Sequence, residues 1–486
     1  MDNTKKKSHD NFANCPWLKP LASLKLTVVL LALSTLLVFF GTLAQKDMDV
    51  WQAVDQYFRC WVARVDFQIF FPASKTVPGW LPFPGGFILG GLMLINLVVA
   101  HSITFKIRIK SGKRLALGSL FLILGLTLTW MVYSGMFTPE VAATTEESYK
   151  RILYRFLRSF APALTLMVAC LFLYGKRGGI ILLHGGMILL LLSELITTIS
   201  HREGTILIPE GSSANFIDDS LKHELVLIDR SSAGEFDQVL TIPHTRLRAN
   251  KTLQDPALPF DVKVIKLMRN SQFPQPVKPG VNNYGINAGI GTQHFGPEIK
   301  QENGVSMGGR NTPAMVLEFL SKEDGKSLGT YFFSMYFYAR ALNLQVADKY
   351  QAIKVGNKTF DMQMRNRREY LLSKGSTKPF NIKLLDFRFD KYIGTKTPSN
   401  FSSLIRLEDE EKSVNRLVNI WMNNPLRYAD RNFFQQAYTP DEKGTILQVV
   451  SNDGWMLPYI CFMIIGLGMT IHFSQTLYFF IRKELK

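Results

Sequence analysis

Cysteine is scarce in this chain. Cys15, Cys60, Cys170 and Cys461 are spread over 486 positions, and none forms a CxxC pair. Cys170 and Cys461 sit in apolar runs and Cys15 lies in a basic N-terminal stretch, which leaves Cys60 without a partner for an oxidising compartment. That pattern excludes a disulfide scaffold and a dithiol oxidoreductase. Familiar catalytic signatures are missing as well. There is no nucleophile elbow, Walker loop, HExxH or EF-hand loop, and no Asp/Glu pair stands out as a hydrolase site. Acidity is in deficit too: 56 Lys and Arg against 39 Asp and Glu leave a formal charge of +17. No nucleic-acid-binding motif accompanies that excess, so no nucleic acid is expected as a partner. Basic loops also hold membrane helices in orientation, and that is the use expected here.

Hydrophobicity is sharply partitioned. Apolar runs crowd residues 22–199 and 455–480, with a polar block between them. Crossing a hydrocarbon core takes about 20 apolar helical residues. The first run, Leu24–Leu43, is too long for a signal-peptide core and has no A-x-A-like cleavage site after it, so it reads as an uncleaved span. Further spans are expected at Gly86–Phe105, Leu115–Met136, Phe160–Tyr174, Gly179–Ile199 and Trp455–Phe480. The fold class predicted is a multi-pass α-helical membrane protein of about six transmembrane helices, with a large β-rich extracytoplasmic domain between the fifth and the last.

Positive residues orient it. Lys5, Lys6, Lys7, Lys19 and Lys25 precede the first span, and Lys106–Arg114 ("KIRIKSGKR") joins the second to the third. Lys176 and Arg177 join the fourth to the fifth, and "IRKELK" ends the sequence. Six spans put all four segments on one side, the cytoplasm. The expected layout is a cytoplasmic basic tail at 1–23, a membrane bundle of five helices at 24–199, an extracytoplasmic β-rich domain at 200–454, and a last transmembrane helix with a cytoplasmic basic tail at 455–486. Both termini are then cytoplasmic. One stretch conflicts: "YKRILYRFLRSF", Tyr149–Phe160, would be external despite Lys150, Arg151, Arg155 and Arg158. Their spacing suits one face of an interfacial helix, either a solvated basic face or an anion-attracting surface near the outer leaflet.

Within 200–454, short apolar stretches such as "GTILIPEG", "HELVLIDRS" and "GTILQVVS" alternate with Gly, Pro, Asn and Asp, as in an antiparallel β domain. Residues 268–312, rich in Asn, Gly and Gln, read as a long irregular insertion. His201, His223, His244 and His294 are scattered through this half and are expected to be structural or exposed. His201 draws notice because the fifth span leaves the membrane there.

Three histidines lie inside apolar spans. His184 is five residues beyond Gly179, His101 is five before Lys106, and His472 is ten before the terminal Arg482. At 1.5 Å per residue these imidazoles lie roughly 7–15 Å from the inner boundary. Helical phase puts Gly90 on the face of His101, and Cys461 and Gly468 on the face of His472. Small residues mark faces where helices approach, so both imidazoles should point into the bundle. Intramembrane ionisable residues are costly and often functional. Neutral imidazole is a good ligand for haem iron, and an apolar bundle supplies a slot for a porphyrin. Zinc is less suited, because no Cys or carboxylate accompanies the histidines at that depth.

Several segments resemble a known family. "LASLKLTVVLLALSTLLVFFGTLAQ" is similar to the opening helix of the ResB/CcsB family of cytochrome c biogenesis proteins. "DMDVWQAVDQYFRCWV" and "PGGFILGGLMLINLVVAHSITF" resemble a longer bacterial branch, and "LLHGGMILLLLSEL" resembles its histidine-bearing helix. The most specific stretch runs from "YIGTKTPSNFSSLIRLEDE" through "NIWMNNPLRYADRNFFQQAY" to "NDGWMLPYICFMIIGLGM", a pattern of strand, NxPL turn, FxQ strand and final helix. The resemblance covers both ends well and the centre of the β domain poorly.

That resemblance implies a system II cytochrome c synthase subunit in the bacterial plasma (inner) membrane. Such proteins work with a CcsA/ResC-type membrane partner to carry haem b across the membrane and present it to the CxxCH motif of apocytochrome c. The partner's tryptophan-rich haem loop is absent from this sequence, so this chain would be one half of a haem lyase, with membrane lipid around it. His184 best matches the family's transmembrane haem ligand. His101 and His472 rest on the depth argument, and an added helix pair between spans one and five leaves the placement of His101 open. Two rival readings are a cytochrome b-like electron carrier and a non-catalytic membrane scaffold with a domain that binds secreted partners.

Overall fold

The computed structural model describes residues 18–72, 74–104, 111–136, 148–229, 237–278, 283–301, 311–338, 349–395 and 398–485. The basic residues Lys5, Lys6 and Lys7, Cys15, residues 106–110 of the basic link, and parts of 268–312 lie outside these, as do the side chains of Lys150 and Arg151. Contacts divide the chain into two compact units. One holds the residues up to His201 together with those from Asn452 onward, and the other runs from Arg202 to Ser451.

The first unit is helical. Five segments are long and apolar enough to cross a bilayer: Leu24–Ala44, Gly86–Ile103, Gly112–Tyr133, Ile152–Ser200 and Leu457–Glu484. The fourth has 49 residues, about 74 Å of helical rise against a core of about 30 Å. A 3-10 turn at Gly175–Arg177 breaks it, with Gly175 at φ +57, a conformation glycine adopts without strain. The helices are therefore α1 (Leu24–Ala44), α2 (Gly86–Thr104), α3 (Gly112–Tyr133), α4 (Ser148–Tyr174), α5 (Gly178–Ser200) and α6 (Leu457–Glu484).

The expected short span at Phe160–Tyr174 is the second half of α4. Ile152, Leu153, Phe156, Leu157 and Phe160 recur every three to four residues between the arginines. The helix propagates through them, so the basic stretch is continuous with the span and not a separate surface helix. Arg155 in it is buried rather than solvated, at 8 % exposure.

Glycines set the helix pairs. On α3, Gly118 faces Leu173 and Gly125 faces Leu166, so α3 and α4 run antiparallel. On α5, buried Gly178, Gly179, Leu182 and Gly186 form one stripe, and Gly186 lies against Ile464 and Ile465 of α6. Lys176 at the turn before α5 stacks on Phe479 near the end of α6, at 4.1 Å. Asn96 of α2 donates to the carbonyls of Leu21 and Ser23 ahead of α1. Between α1 and α2 a ribbon of β1 (Val62–Asp66) and β2 (Trp80–Pro84) pairs antiparallel.

The second unit is antiparallel β throughout its described pairings. Its first strand, Arg202–Pro209, pairs with its last, Gly444–Ser451, from Gly444↔Pro209 to Ser451↔Arg202. Entry and exit are thus side by side, and the unit forms an insertion between α5 and α6. These strands belong to an eight-stranded sheet, accompanied by two four-stranded sheets. One core gathers Leu225, Phe260, Phe319 and Phe333, and a second gathers Ile206, Phe380, Ile405 and Leu447. Alternation decides the facing: Arg202–Pro209 buries every second residue from Gly204 onward.

Candidate functional site

The site is built from α2, α5 and α6. Asn96 positions α2. It is 3 % exposed, its Nδ2 donates to Leu21 O at 2.6 Å and Ser23 O at 3.2 Å, and its Oδ1 accepts from Thr27 Oγ1 at 2.7 Å. An amide held at three points in an apolar bundle fixes both rotation and depth of its helix. His101 follows it by five residues on the same helix.

The α5–α6 crossing positions His184 and His472. A Cβ on Gly179 would lie 2.9 Å from His472 N and 3.0 Å from Gly468 O. The helices therefore touch backbone to backbone where glycine removes the side chain. The backbone of His472 rests on Gly179, and its ring lies 5.6 Å from that of Phe473.

His101 and His184 come together. Their ring centroids are 4.2 Å apart with planes inclined at 40°. Each Nδ1 lies 2.7 Å from the carbonyl four residues earlier, Leu97 O for His101 and Ile180 O for His184. A carbonyl can only accept, so Nδ1 carries the proton in both rings. In a neutral His184 the lone pair is then on Nε2, the arrangement a metal-ligating imidazole adopts. Both rings are half-buried.

The donors fit a porphyrin iron one at a time. A metal–imidazole bond is about 2 Å, so two rings facing one ion hold their nitrogens about 4 Å apart and their centroids further still. At 4.2 Å between centroids, His101 and His184 are too close to clamp one iron from opposite faces. Among the described residues no group of three or more His, Cys, Asp and Glu could hold a bare metal ion. A porphyrin supplies its own equatorial nitrogens and needs only axial donors.

The structure thus joins two of the three intramembrane histidines side by side and sets the third by the backbone of the same helix pair. The expected contact face at Gly90 is not used: nothing lies within 4 Å of its Cβ position. Gly468 and fully buried Cys461 do face neighbours. Beside the crossing, a groove of about 340 Å³ is lined by Leu171, Lys176, Gln475, Tyr478 and Phe479 among others, at the small end for a ligand pocket. In the β unit, His223 and His244 are not scattered as expected. Their rings lie 5.9 Å apart, and His244 Nδ1 lies 3.0 Å from His223 O and 3.2 Å from His223 N. His223 lies within the strand Phe216–Asp229 and His244 opens the 3-10 turn that follows its partner strand Gln238–Pro243, and no spacing rule would have found them. His201 ends α5, its N–H on Thr197 O.

Comparison with known proteins agrees with the resemblance seen in the sequence. Residues 335–469 match a family model described as the ResB-like family. The match takes in the last part of the β unit and the start of α6. His101 and His184 lie outside it, and His472 lies just past its end. Protein NrfI of Wolinella succinogenes is 36% identical over 91 residues, 19% of this chain and 10% of that protein. The chain therefore spans about a tenth of the length of the curated relative it matches. Residues 335–469 of this multi-pass membrane chain are thus similar to the ResB-like family, and a 91-residue stretch is similar to part of NrfI.

Proposed function

We propose that the chain serves cytochrome c biogenesis by holding haem within the membrane for delivery to apocytochrome c. The observation that carries this reading is the His101–His184 pair, with His184 Nδ1 tied to Ile180 O and its Nε2 lone pair left for a metal. The ResB-like region supports the reaction class.

His184 is the axial donor from this chain. His101 packs on its ring and limits its tilt, and the second axial donor comes from a CcsA/ResC-like membrane partner. His472 lines the same α5–α6 crossing. Lys176, Arg177, Arg482 and Lys483 belong to one end of the bundle, since Lys176 stacks on Phe479. By the excess of positive charge that end is cytoplasmic, both termini are cytoplasmic, and the β unit is extracytoplasmic. Haem enters from the inner leaflet, binds His184 and leaves along the interface with the partner. The β unit positions the apocytochrome. Addition of each CxxCH thiol across a vinyl group breaks S–H and forms C–S and C–H, with no net redox change. Among the described residues the free cysteines Cys60, Cys170 and Cys461 form no dithiol, so the reduced thiols are supplied elsewhere.

The test is to purify the chain with and without the partner, record haem spectra, and repeat with His184→Gly before and after adding imidazole. Loss of the haem band and its return with imidazole are expected. An unchanged band in His184→Gly removes the ligand assignment, and normal c-type cytochromes in a deletion strain remove the function.

A further inference from the structure

The segment joining α1 to α2 has two sides of different character. Its inner side is a closed core: Tyr57, Ala63, Val65 and Ile69 pack with Leu37 and Ala44 of α1 and Leu89 of α2. Gly85 and Gly86 complete it, because a Cβ on either would collide with the backbone carbonyl of Cys60 or of Phe58. The ribbon is therefore a fixed part of the bundle.

Its outer side is aromatic. Trp61 is 68% exposed, Trp80 50%, Trp51 38%, Val62 59% and Leu81 47%. Three of the seven tryptophans of the chain lie in this one segment. The basic residues here stack on rings: Arg64 lies 5.3 Å from the Trp80 ring, Arg59 6.0 Å from Trp51, and Lys75 5.8 Å from Phe71. A patch of this size and aromaticity on a rigid element needs a cover.

The chain's own geometry supplies the occupant. The 21 residues of α1 rise about 31 Å, the thickness of the hydrocarbon core, so whatever follows Ala44 starts at headgroup depth. The surface is also continuous with lipid-facing surface. Val38 and Phe39 of α1 are half exposed, and the next residue, Phe40, meets Phe70 of the ribbon segment edge-on at 5.8 Å. Tryptophan rings match an acyl–headgroup boundary, where amphipathic rings sit in the interface; Arg64 and Arg59 on them are also paired with Asp66 and Asp55.

We infer that the ribbon of β1 and β2 and its flanking turns lie in the bilayer interface, with Trp51, Trp61 and Trp80 at headgroup depth. It is a lipid-docking element that holds the α1–α2 pair, and with it His101, at a set depth. The inference does not depend on haem chemistry. The full-length chain is placed in nanodiscs whose lipids carry bromine on the acyl chain just below the headgroup. It is compared with the Trp51→Phe/Trp61→Phe/Trp80→Phe variant, and with Trp61→Phe alone in case the triple variant does not fold. The emission lost with the substitutions is expected to be the part quenched by brominated lipid and spared by aqueous iodide. Quenching of that part by iodide overturns the inference by putting the tryptophans in water. Quenching by neither agent overturns it by putting protein over them.

Discussion

Gly468 of α6 lies against α5 so closely that an added Cβ would sit 2.6 Å from Leu183 N and 3.0 Å from Gly179 O. Both obstacles are backbone, so nothing can swing aside. Gly468→Leu is expected to force the helices apart and destabilise the bundle by about 1–3 kcal/mol, the usual cost of overpacking. Gly466→Ala on the same helix is the control, since nothing lies within 4 Å of its Cβ position. Thermal melting in detergent reads both. A Gly468→Leu variant that melts with the wild type would mean that the helices do not cross here.

The 4.2 Å between His101 and His184 separates a ligand from its neighbour. His184→Gly should abolish the haem band. His101→Ala should keep the same axial-ligation spectrum, with affinity weakened about 10–100-fold, as when support is removed from a ligating imidazole. Spectral titration with haem distinguishes the cases. Complete loss of binding in His101→Ala as well would mean that both rings ligate, which requires them to move apart.

In the β unit, Asp409 is 3% exposed and accepts from Ser373 Oγ at 2.6 Å, Tyr428 OH at 2.8 Å and Lys412 N at 3.0 Å. Burial pushes its carboxyl up, but the bonds from Ser373, Tyr428 and Lys412 favour the charged form more and hold it below 3.8. Burial, then the bond to Asp409, pushes Tyr428 up to about 12. The signs differ. The contribution of Asp409 is present above its unfolded value and lost as pH falls through the lower folded one. That of Tyr428 is present below its unfolded value of 10.0 and lost as pH rises through about 12. Asp409→Asn should flatten the acid limb of a melting-temperature profile, and Tyr428→Phe the alkaline limb. A limb unchanged by its substitution would remove that group from the linkage.

Much of this was readable before the structure. α1 and α5 end within a residue or so of their apolar runs because a membrane span is bounded by composition. Strands such as Arg202–Pro209 follow from alternation. Position along the helix was readable for His101, His184 and His472, because rise per residue is fixed. Adjacency was not: which helices touch depends on glycine crossings such as Gly179–Gly468, and spacing along one helix is silent on its neighbours. For the same reason Gly90, although in phase with His101, turned out to face open space. The pairing of the first β strand with the last, and of His223 with His244, is long-range register that no local pattern carries.

Arg155 was legible as a basic residue and illegible as a buried one. Its guanidinium lies 5.0 Å from the Trp455 ring and 5.4 Å from the Tyr459 ring, and its Nη1 donates to the Tyr459 hydroxyl at 3.0 Å. Among the described residues no carboxylate pairs with it. Two ring faces and one hydroxyl thus hold the cation, and they tie α4 to the first turn of α6, just after the last strand of the β unit. Stacking of this kind is worth about 0.5–2 kcal/mol, and a hydrogen bond from a charged group about 1.5–3 kcal/mol. Tyr459→Phe keeps the ring and gives up only the hydrogen bond, so it should cost about 1.5–3 kcal/mol. Arg155→Lys gives up the planar stack on both rings together with the Nη1 hydrogen bond and should cost more, because an ammonium cannot lie flat between two rings. Arg155→Ala should cost most. That order in melting temperature tests the clamp. If Tyr459→Phe matched Arg155→Ala, the hydroxyl alone would be holding the helices, and the rings would be mere neighbours.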